Sequence, residues 1–355
     1  MDAKDQKPGF LEWGELTHNL GKPPEMLKLQ DTSKDAEKKA LSPLQESWRR
    51  FRRDRRAMLS MGVLLCLVLL ALVGPPIYQH IGGIVHSDIE GQIGPSVYHS
   101  PDHQELTRQN EGPSLHYWLG TNALGQDLLA RLMQGLLISL IVAFLVEIVH
   151  IGLGVTIGVL AGFYGGWIDQ VLARLTDLVF AFPGLLLAIL LTGIFGESVS
   201  NSFAAWPFLG NGNAPLVIVS LALALVSWPV MARYVRGLTL QLKQQPFVEA
   251  ARTAGTSNGG IIVRHILPNL FSIVFTVATL NVANTIIGEA GLSLLGLGVR
   301  PPGSSLGLMI ADGLDTLEIH PWNTLLPTIV LTIIVLAVSF IGDGLRDAFD
   351  PRSTG

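Results

Sequence analysis

The chain has 355 residues, 49% of them hydrophobic and only 15% charged, with a mean hydropathy of +0.44. An ordinary soluble domain carries about 25% charged residues, so composition excludes that class and points to several membrane spans. The net charge of −4 assigns no partner, and a single cysteine, Cys66, excludes a disulfide within the chain.

Residues 1–41 form a polar extension that carries Phe10 and Trp13. The next stretch, "SPLQESWRRFRRDRRA" at 42–57, sets Leu44, Trp48 and Phe51 at helical spacing among six arginines. A basic helix with an apolar stripe lies in the headgroup layer, where anionic lipid attracts arginine. An interfacial elbow helix is therefore expected. Nucleic-acid binding by the arginine cluster is set aside because a membrane span follows at once.

Six apolar runs approach or exceed the roughly 20 residues needed to cross a bilayer: 57–78, 134–163, 171–195, 214–233, 269–291 and 323–342. The first follows a long polar segment and no Ala-x-Ala site follows it, so it reads as an uncleaved anchor. Cys66 lies within it and reads as a small core residue. With the N-terminus inside, 21 of the 24 lysines and arginines fall in cytoplasmic segments, leaving Arg108, Arg131 and Arg300 outside. The positive-inside rule therefore expects both termini in the cytoplasm.

The segment between the first two runs, about 79–133, ends in "HYWLGTNALGQDLLARLMQG". Tyr117 and Trp118 suit a membrane interface, and Asp127 stands where a carboxylate favours a helix start. His80, His86, His99, His103 and His116 are scattered without metal-ligand spacing, so no metal site is assigned. Run two contains Glu147 and His150, three apart and hence on one side of a helix. Ionisable groups at membrane depth mark a pathway or a buried pair. Both readings stand for Glu147 and His150, with a structural hydrogen bond to a neighbouring helix or subunit preferred. Gly152, Gly154, Gly158, Gly162, Gly165 and Gly166 thread the end of this run, as in close-packed membrane helices. Pro183 and Pro229 each remove a backbone donor and should kink or start a helix.

Between runs four and five lies "QPFVEAARTAGTSNGGIIVRHILPN". Pro246 opens good helix sequence with Glu249 early, where a carboxylate complements the helix dipole. Gly255 can stop that helix, "TSNGG" is turn chemistry, and Pro268 suits the first turn of the next span. The expectation is a short helix tied to two spans and presented to the cytoplasm, a geometry that passes force from a cytoplasmic partner into the membrane.

These residues resemble the EAA loop of ABC importer permeases: Glu249, Ala250, Ala251, Gly255, Leu267 and Pro268 all match that pattern. His265 stands where the general pattern has isoleucine, and "RHILPN" resembles the peptide branch. "LGTNALGQD" resembles that branch's "LGTDxxGRD", with Asn122 and Gln126 in place of its usual Asp and Arg. "GEAGLSLLGLGVRPPGSSLGLMIADG" and "IGDGLRDAFDPR" resemble it closely. The elbow resembles the N-terminal module of the "C" permease of dipeptide and oligopeptide importers. The likeness covers about 42–352.

The resemblance implies an all-α polytopic fold, six transmembrane helices of the type I ABC importer permease architecture, preceded by the elbow helix. The expected organisation is a cytoplasmic extension at 1–41, an N-terminal permease module at 42–98 and an external loop at 99–133. A transmembrane domain at 134–343, holding the coupling loop at 246–268, and a cytoplasmic tail at 344–355 complete it. The implied partners are a second permease subunit, two ATP-binding subunits (or one fused), an external solute-binding protein and the lipid bilayer, with no nucleic acid. The implied setting is the bacterial inner membrane. Glu249, Ala250, Ala251 and Gly255 are expected to dock the ATP-hydrolysing subunit, with His265, Leu267 and Pro268 completing the loop.

The chain contains no Gly-x-x-x-x-Gly-Lys-Ser/Thr loop, so it is expected to be no enzyme and to bind no cofactor, ATP-Mg belonging to the partners. A peptide is the expected cargo, with nickel or another small solute as the alternative. A membrane hydrolase is disfavoured, because neither His-Glu-x-x-His nor Gly-x-Ser-x-Gly occurs. An ion-coupled secondary transporter, which would rely on Glu147, is disfavoured by the absence of an evident internal repeat.

Overall fold

The computed structural model describes residues 43–85, 99–203, 205–206, 209 and 212–349. The extension expected at 1–41, His86 and residues 350–355 lie outside them. The chain divides into a unit ending at Trp48 and a unit from Arg49 onward, which holds the membrane bundle.

In chain order the helices are α1 (Pro43–Phe51), α2 (Arg55–Val85), α3 (Leu128–Tyr164), α4 (Gly166–Phe180), α5 (Gly184–Phe203) and α6 (Pro215–Leu242). There follow α7 (Pro246–Thr253), α8 (Asn258–Ile261), a π turn (Ile262–Ile266), α9 (Leu267–Leu294), α10 (Leu306–Leu314) and α11 (Trp322–Phe349). Among the described residues no β-strand occurs. Among the described residues six segments are long and apolar enough to cross a membrane: Arg55–Ile81, Leu128–Tyr164, Gly184–Phe203, Pro215–Leu242, Asn258–Leu294 and Trp322–Phe349.

The third span departs from the expected 171–195. Residues 166–180 form a separate helix, α4, and the span starts at Gly184 after the break at Pro183. Proline lacks the N–H that would continue α4 and disfavours helix at the residue before it. Arg174 and Asp177 kept α4 from the apolar character of a span. The fifth span starts ahead of Pro268, and the sixth runs on to Phe349. Leu306–Leu314, which the apolar runs did not anticipate, is too short to cross and begins at Ser305, whose side chain accepts from the Leu308 N–H. Cys66 is exposed on α2, contrary to its reading as a core residue.

The expected N-terminal helix is present as α1, shorter than the 42–57 stretch. α1 stops at Phe51, and Asp54 caps α2 by accepting from the Arg56 N–H at 2.8 Å. Phe51 does not turn outward toward headgroups; it is buried with Ala57, Ile341 and Ala348.

The most extensive helix pairing joins α3 to α6, and its cause is glycine. A Cβ added at Gly154 would lie 2.5 Å from Met231 Cβ, at Gly158 2.7 Å from the Ala232 carbonyl, and at Gly162 2.9 Å from the Arg236 carbonyl. Such a stripe lets backbones meet where lipid offers no hydrophobic drive for association. α9 packs on α3, α6 and α11, and α2 on α3 and α11, which leaves α3 central. α4 is tied to α6 by two ion pairs. Arg236 grips Asp169 through Nε at 2.5 Å and a terminal nitrogen at 2.7 Å, and Arg233 reaches Asp177 at 2.8 Å. The Arg236 guanidinium holds the Asp169 carboxyl below the usual carboxylate range.

At the other end of α3, Asp127 caps the helix by accepting from the Leu129 and Ala130 N–H groups. Its second oxygen receives the Tyr78 hydroxyl at 2.8 Å and meets His99 Nδ1 at 2.7 Å, which ties α2 and the preceding loop to α3. Tyr117 donates to Glu105 at 2.9 Å, and burial pushes its phenol upward from the ordinary value.

Gly158→Ala should force α3 and α6 apart and cost about 1–3 kcal/mol, as overpacked cores do. Gly152→Ala, whose methyl would meet nothing within 4 Å, should be neutral or slightly stabilising. The thermal midpoints of the two detergent-purified variants check this; equal midpoints would contradict the role of the seam.

Candidate functional site

The segment expected to couple to a partner is built from two spans and the turn between them. α6 closes with the Lys243 N–H bonded to Thr239, and Pro246 then takes the first turn of α7, where a missing donor costs nothing. Glu249 falls in that first turn. The helix ends in a double backbone bond: the Gly255 N–H to the Arg252 carbonyl and the Thr256 N–H to the Ala251 carbonyl, both at 3.0 Å. This Schellman arrangement needs a left-handed residue just past the helix, and Gly255 supplies it with φ +80°. Ser257 then caps α8 through the Gly260 N–H.

The π turn follows from Pro268. With no N–H there, the Leu267 N–H reaches five residues back to Ile262, and the Asn269 side chain donates to the His265 carbonyl at 2.7 Å. Leu267 and Pro268 thus begin α9, Leu267 partly buried and Pro268 exposed. His265 is partly buried, its ring 6.3 Å from that of Phe247.

α7 has two faces. Val248 is completely buried, and with Ala251 it packs into a cluster of Phe163 from α3, Val235 from α6, Ile261, Ile266 and Leu270. Glu249, Ala250, Arg252, Thr253 and Gly255 face outward with Phe247. Beside them, Gly255, Ser257, Gly259, Val263 and Arg264 line an open concavity of about 550 Å³. The two alanines of the motif therefore do different work: Ala250 is presented, and Ala251 helps hold the helix down. Phe247 and Val263 belong to this surface, and Val248 to the packed face beneath it, although the motif names none of them. The i, i+3 spacing of Val248 and Ala251 was the signal available for the inward face.

The pair in the membrane is arranged otherwise. Glu147 and His150 are both buried on α3, yet they are not bonded to each other, since neither ring nitrogen of His150 has a hydrogen-bond partner among the described residues. Glu147 accepts instead from the Asn281 side chain of α9 at 2.5 Å. Among the described residues no group of three His, Cys, Asp or Glu side chains is placed to hold a metal ion.

Comparison with known proteins adds the following. Residues 154–355 match the model of the binding-protein-dependent transport system inner membrane component. Residues 42–86 match the N-terminal TM domain of oligopeptide transport permease C. An oligopeptide transport system permease protein of Mycobacterium tuberculosis is 37% identical over 305 residues, 86% of this chain and 93% of the relative. A glutathione transport system permease protein of Pectobacterium atrosepticum is 35% identical over 316 residues, 89% and 93% of the two chains. One of Escherichia coli is 35% identical over 314 residues, 88% and 92% of the two chains.

Val248→Ala should loosen α7 from the bundle at a cost of about 1–3 kcal/mol. Trypsin should then cut after Arg252 several-fold faster than in the wild type under native conditions. An unchanged cleavage rate would mean that the buried valine does not hold the helix.

Proposed function

The chain belongs to the family of binding-protein-dependent transport system inner membrane components, and on that premise we propose that it forms half of a peptide path driven by separate ATP-hydrolysing subunits. The observation that carries the coupling role is the two-faced α7, with Val248 and Ala251 locked into the spans and Phe247, Glu249 and Ala250 presented. An exposed apolar patch fringed by Glu249, Arg252 and Arg264 is the chemistry of a docking surface. Glu249 can make a charge-assisted bond to a partner, and Ala250 permits close approach.

A push on this face reaches α3, α6 and α9 together because the residues beneath it form one packed cluster. The chain supplies the moving wall, and ATP-Mg belongs to the partner subunits, consistent with a sequence lacking the phosphate-cradling loop. The remaining partners are a second permease and an external binding protein. The lysine and arginine distribution supports a cytoplasmic position for α7 and for both termini. The names of the relatives support small peptides as cargo: an oligopeptide in one case, the tripeptide glutathione in the others.

Wild-type chain captured from detergent-solubilised membranes should bring ATP-hydrolysing subunits with it. Glu249→Arg, and Gly255→Pro, which a φ of +80° cannot accommodate, should each reduce that capture at least tenfold while the second permease is retained. An ATPase-free wild-type preparation that still moves solute would overturn the proposal.

A further inference from the structure

The midpoints of the two spans that flank the coupling loop carry polar groups that the loop does not use. On α9 these are Asn281, Asn284 and Thr285, and on α6 Ser227. They line a cleft of about 440 Å³ whose remaining wall includes Phe180 and Phe182 at the break before α5. Asn284 is exposed on a span, and its side chain makes no hydrogen bond among the described residues. An unpartnered carboxamide facing lipid costs several kcal/mol, whereas neighbouring exposed positions of α9 are Phe275 and Ile287, as lipid contact prefers. Asn284 therefore marks a face that water or a polar occupant covers.

Asn281 is already oriented. One of its amide protons goes to Glu147 at 2.5 Å, and Thr285 Oγ1 lies 3.4 Å from the same nitrogen. Its carbonyl oxygen is left as an acceptor. The Ser227 hydroxyl donates to the Ala224 carbonyl, which leaves its oxygen as an acceptor too.

We propose that this cleft is the chain's share of the peptide path, that Asn281 and Asn284 hydrogen-bond the passing peptide main chain, and that Glu147 positions Asn281. The proposal rests on the importer reading and deepens it. A main chain offers one donor and one acceptor per residue whatever its side chains, and a carboxamide offers the complementary pair. No lining residue is charged, and none is a carboxylate, imidazole or thiol, the donors that transition metals favour. The chemistry thus suits a neutral, sequence-independent main chain and not nickel. Glu147 does not line the cleft; it acts through Asn281 as a positioning residue.

The test uses the assembled importer, with both permeases, the ATPase subunits and the binding protein supplied with a pool of tri- to pentapeptides from casein hydrolysate. In a Cys66→Ala background, Asn284→Cys should react with a charged, water-soluble methanethiosulfonate in the solubilised complex, and peptide-loaded binding protein should slow the reaction several-fold. Cys66 of the wild type, exposed on α2, serves as the lipid-facing control and should stay unreactive. In liposomes, Asn284→Leu should lower peptide uptake at least tenfold with all subunits retained. Glu147→Leu should raise KM at least tenfold with maximal uptake little changed, and Glu147→Gln, whose carbonyl can still accept from Asn281, should restore KM to within a few-fold of wild type.

An unreactive Asn284→Cys, or Asn284→Leu with wild-type uptake, would overturn the proposal. So would loss of the second permease from the Asn284→Leu complex, which would make this face a subunit seam. Failure of Glu147→Gln to restore KM would remove the positioning role. A wild-type complex that carries ATPase subunits yet takes up none of the peptides would strike the importer reading itself, and the cleft proposal with it.

Discussion

Three glycines, Gly154, Gly158 and Gly162, set the distance between α3 and α6, because at each of them an added methyl would meet the facing helix's backbone or Cβ at 2.5–3.1 Å. Helices held that close cannot slide by small amounts without losing contact along the whole seam, so they move as one body. The seam continues into the apolar cluster beneath α7: Val159 and Phe163 extend it on one side, Val235 on the other, and Val248 inserts between them. The presented helix is thus an outgrowth of the tightest pairing in the bundle. The ion pairs from Asp169 and Asp177 to α6 bring α4 along. Partly exposed pairs of this kind contribute only about 0–1 kcal/mol each, so they fix geometry more than they stabilise.

At the far end a different set of contacts holds the bundle. Glu289 is buried on α9 and accepts from Ser139 of α3 and from Ser293; Ser305, the cap of α10, donates in turn to Ser293. Removing any one of these partners would strand a buried polar group. Asn122 and Gln126, the two departures from the peptide-branch pattern, sit against each other: the Asn122 amide donates to Gln126 Oε1 at 2.9 Å. The pattern's acid and base are both absent and a neutral amide pair stands in their place. Arg131 then bonds Gln126 as well as Asp312, at 3.1 Å from the latter, which keeps its buried charge paired.

Six spans were legible because a run of apolar residues long enough to cross a bilayer has few other uses. The start of the third was not, since Pro183 has apolar sequence on both sides and composition alone does not say which side enters the membrane. Arg174 and Asp177 were the available signal that the first half is a separate, less apolar helix. α10 escaped because a nine-residue, mostly apolar stretch interrupted by Asp312 between two spans reads as loop, although Ser305 ahead of it is a good cap. In the coupling segment, Pro246 and Gly255 marked the ends of α7 through backbone chemistry that no distant contact can alter. Which face turns inward was marked only weakly, by the i, i+3 spacing of Val248 and Ala251, because the neighbouring Ala250 is apolar too and tertiary packing decides between them. Glu147 shows the same limit: its spacing to His150 suggested a pair, but its partner Asn281 lies 134 positions away.

That partner lies on one of the two spans that the α7 segment connects. The segment holding α7 joins α6 to α9, and these two spans supply the polar midpoints of the cleft. α6 contains Pro229 two residues beyond Ser227, so the carbonyl of Leu225 loses its helical donor at cleft level and the helix can bend there at low cost. Below that point α6 is seamed to α3 through Gly158 and Gly162, and Val248 carries α7 on the same body. Above it, Arg300 donates its N–H to the Gly212 carbonyl just ahead of α6, which anchors the upper half to the segment after α9. The polar midpoint of the cleft thus sits at the level where α6 has lost a backbone donor, with the glycine seam to α3 below it and the Arg300 bond above it.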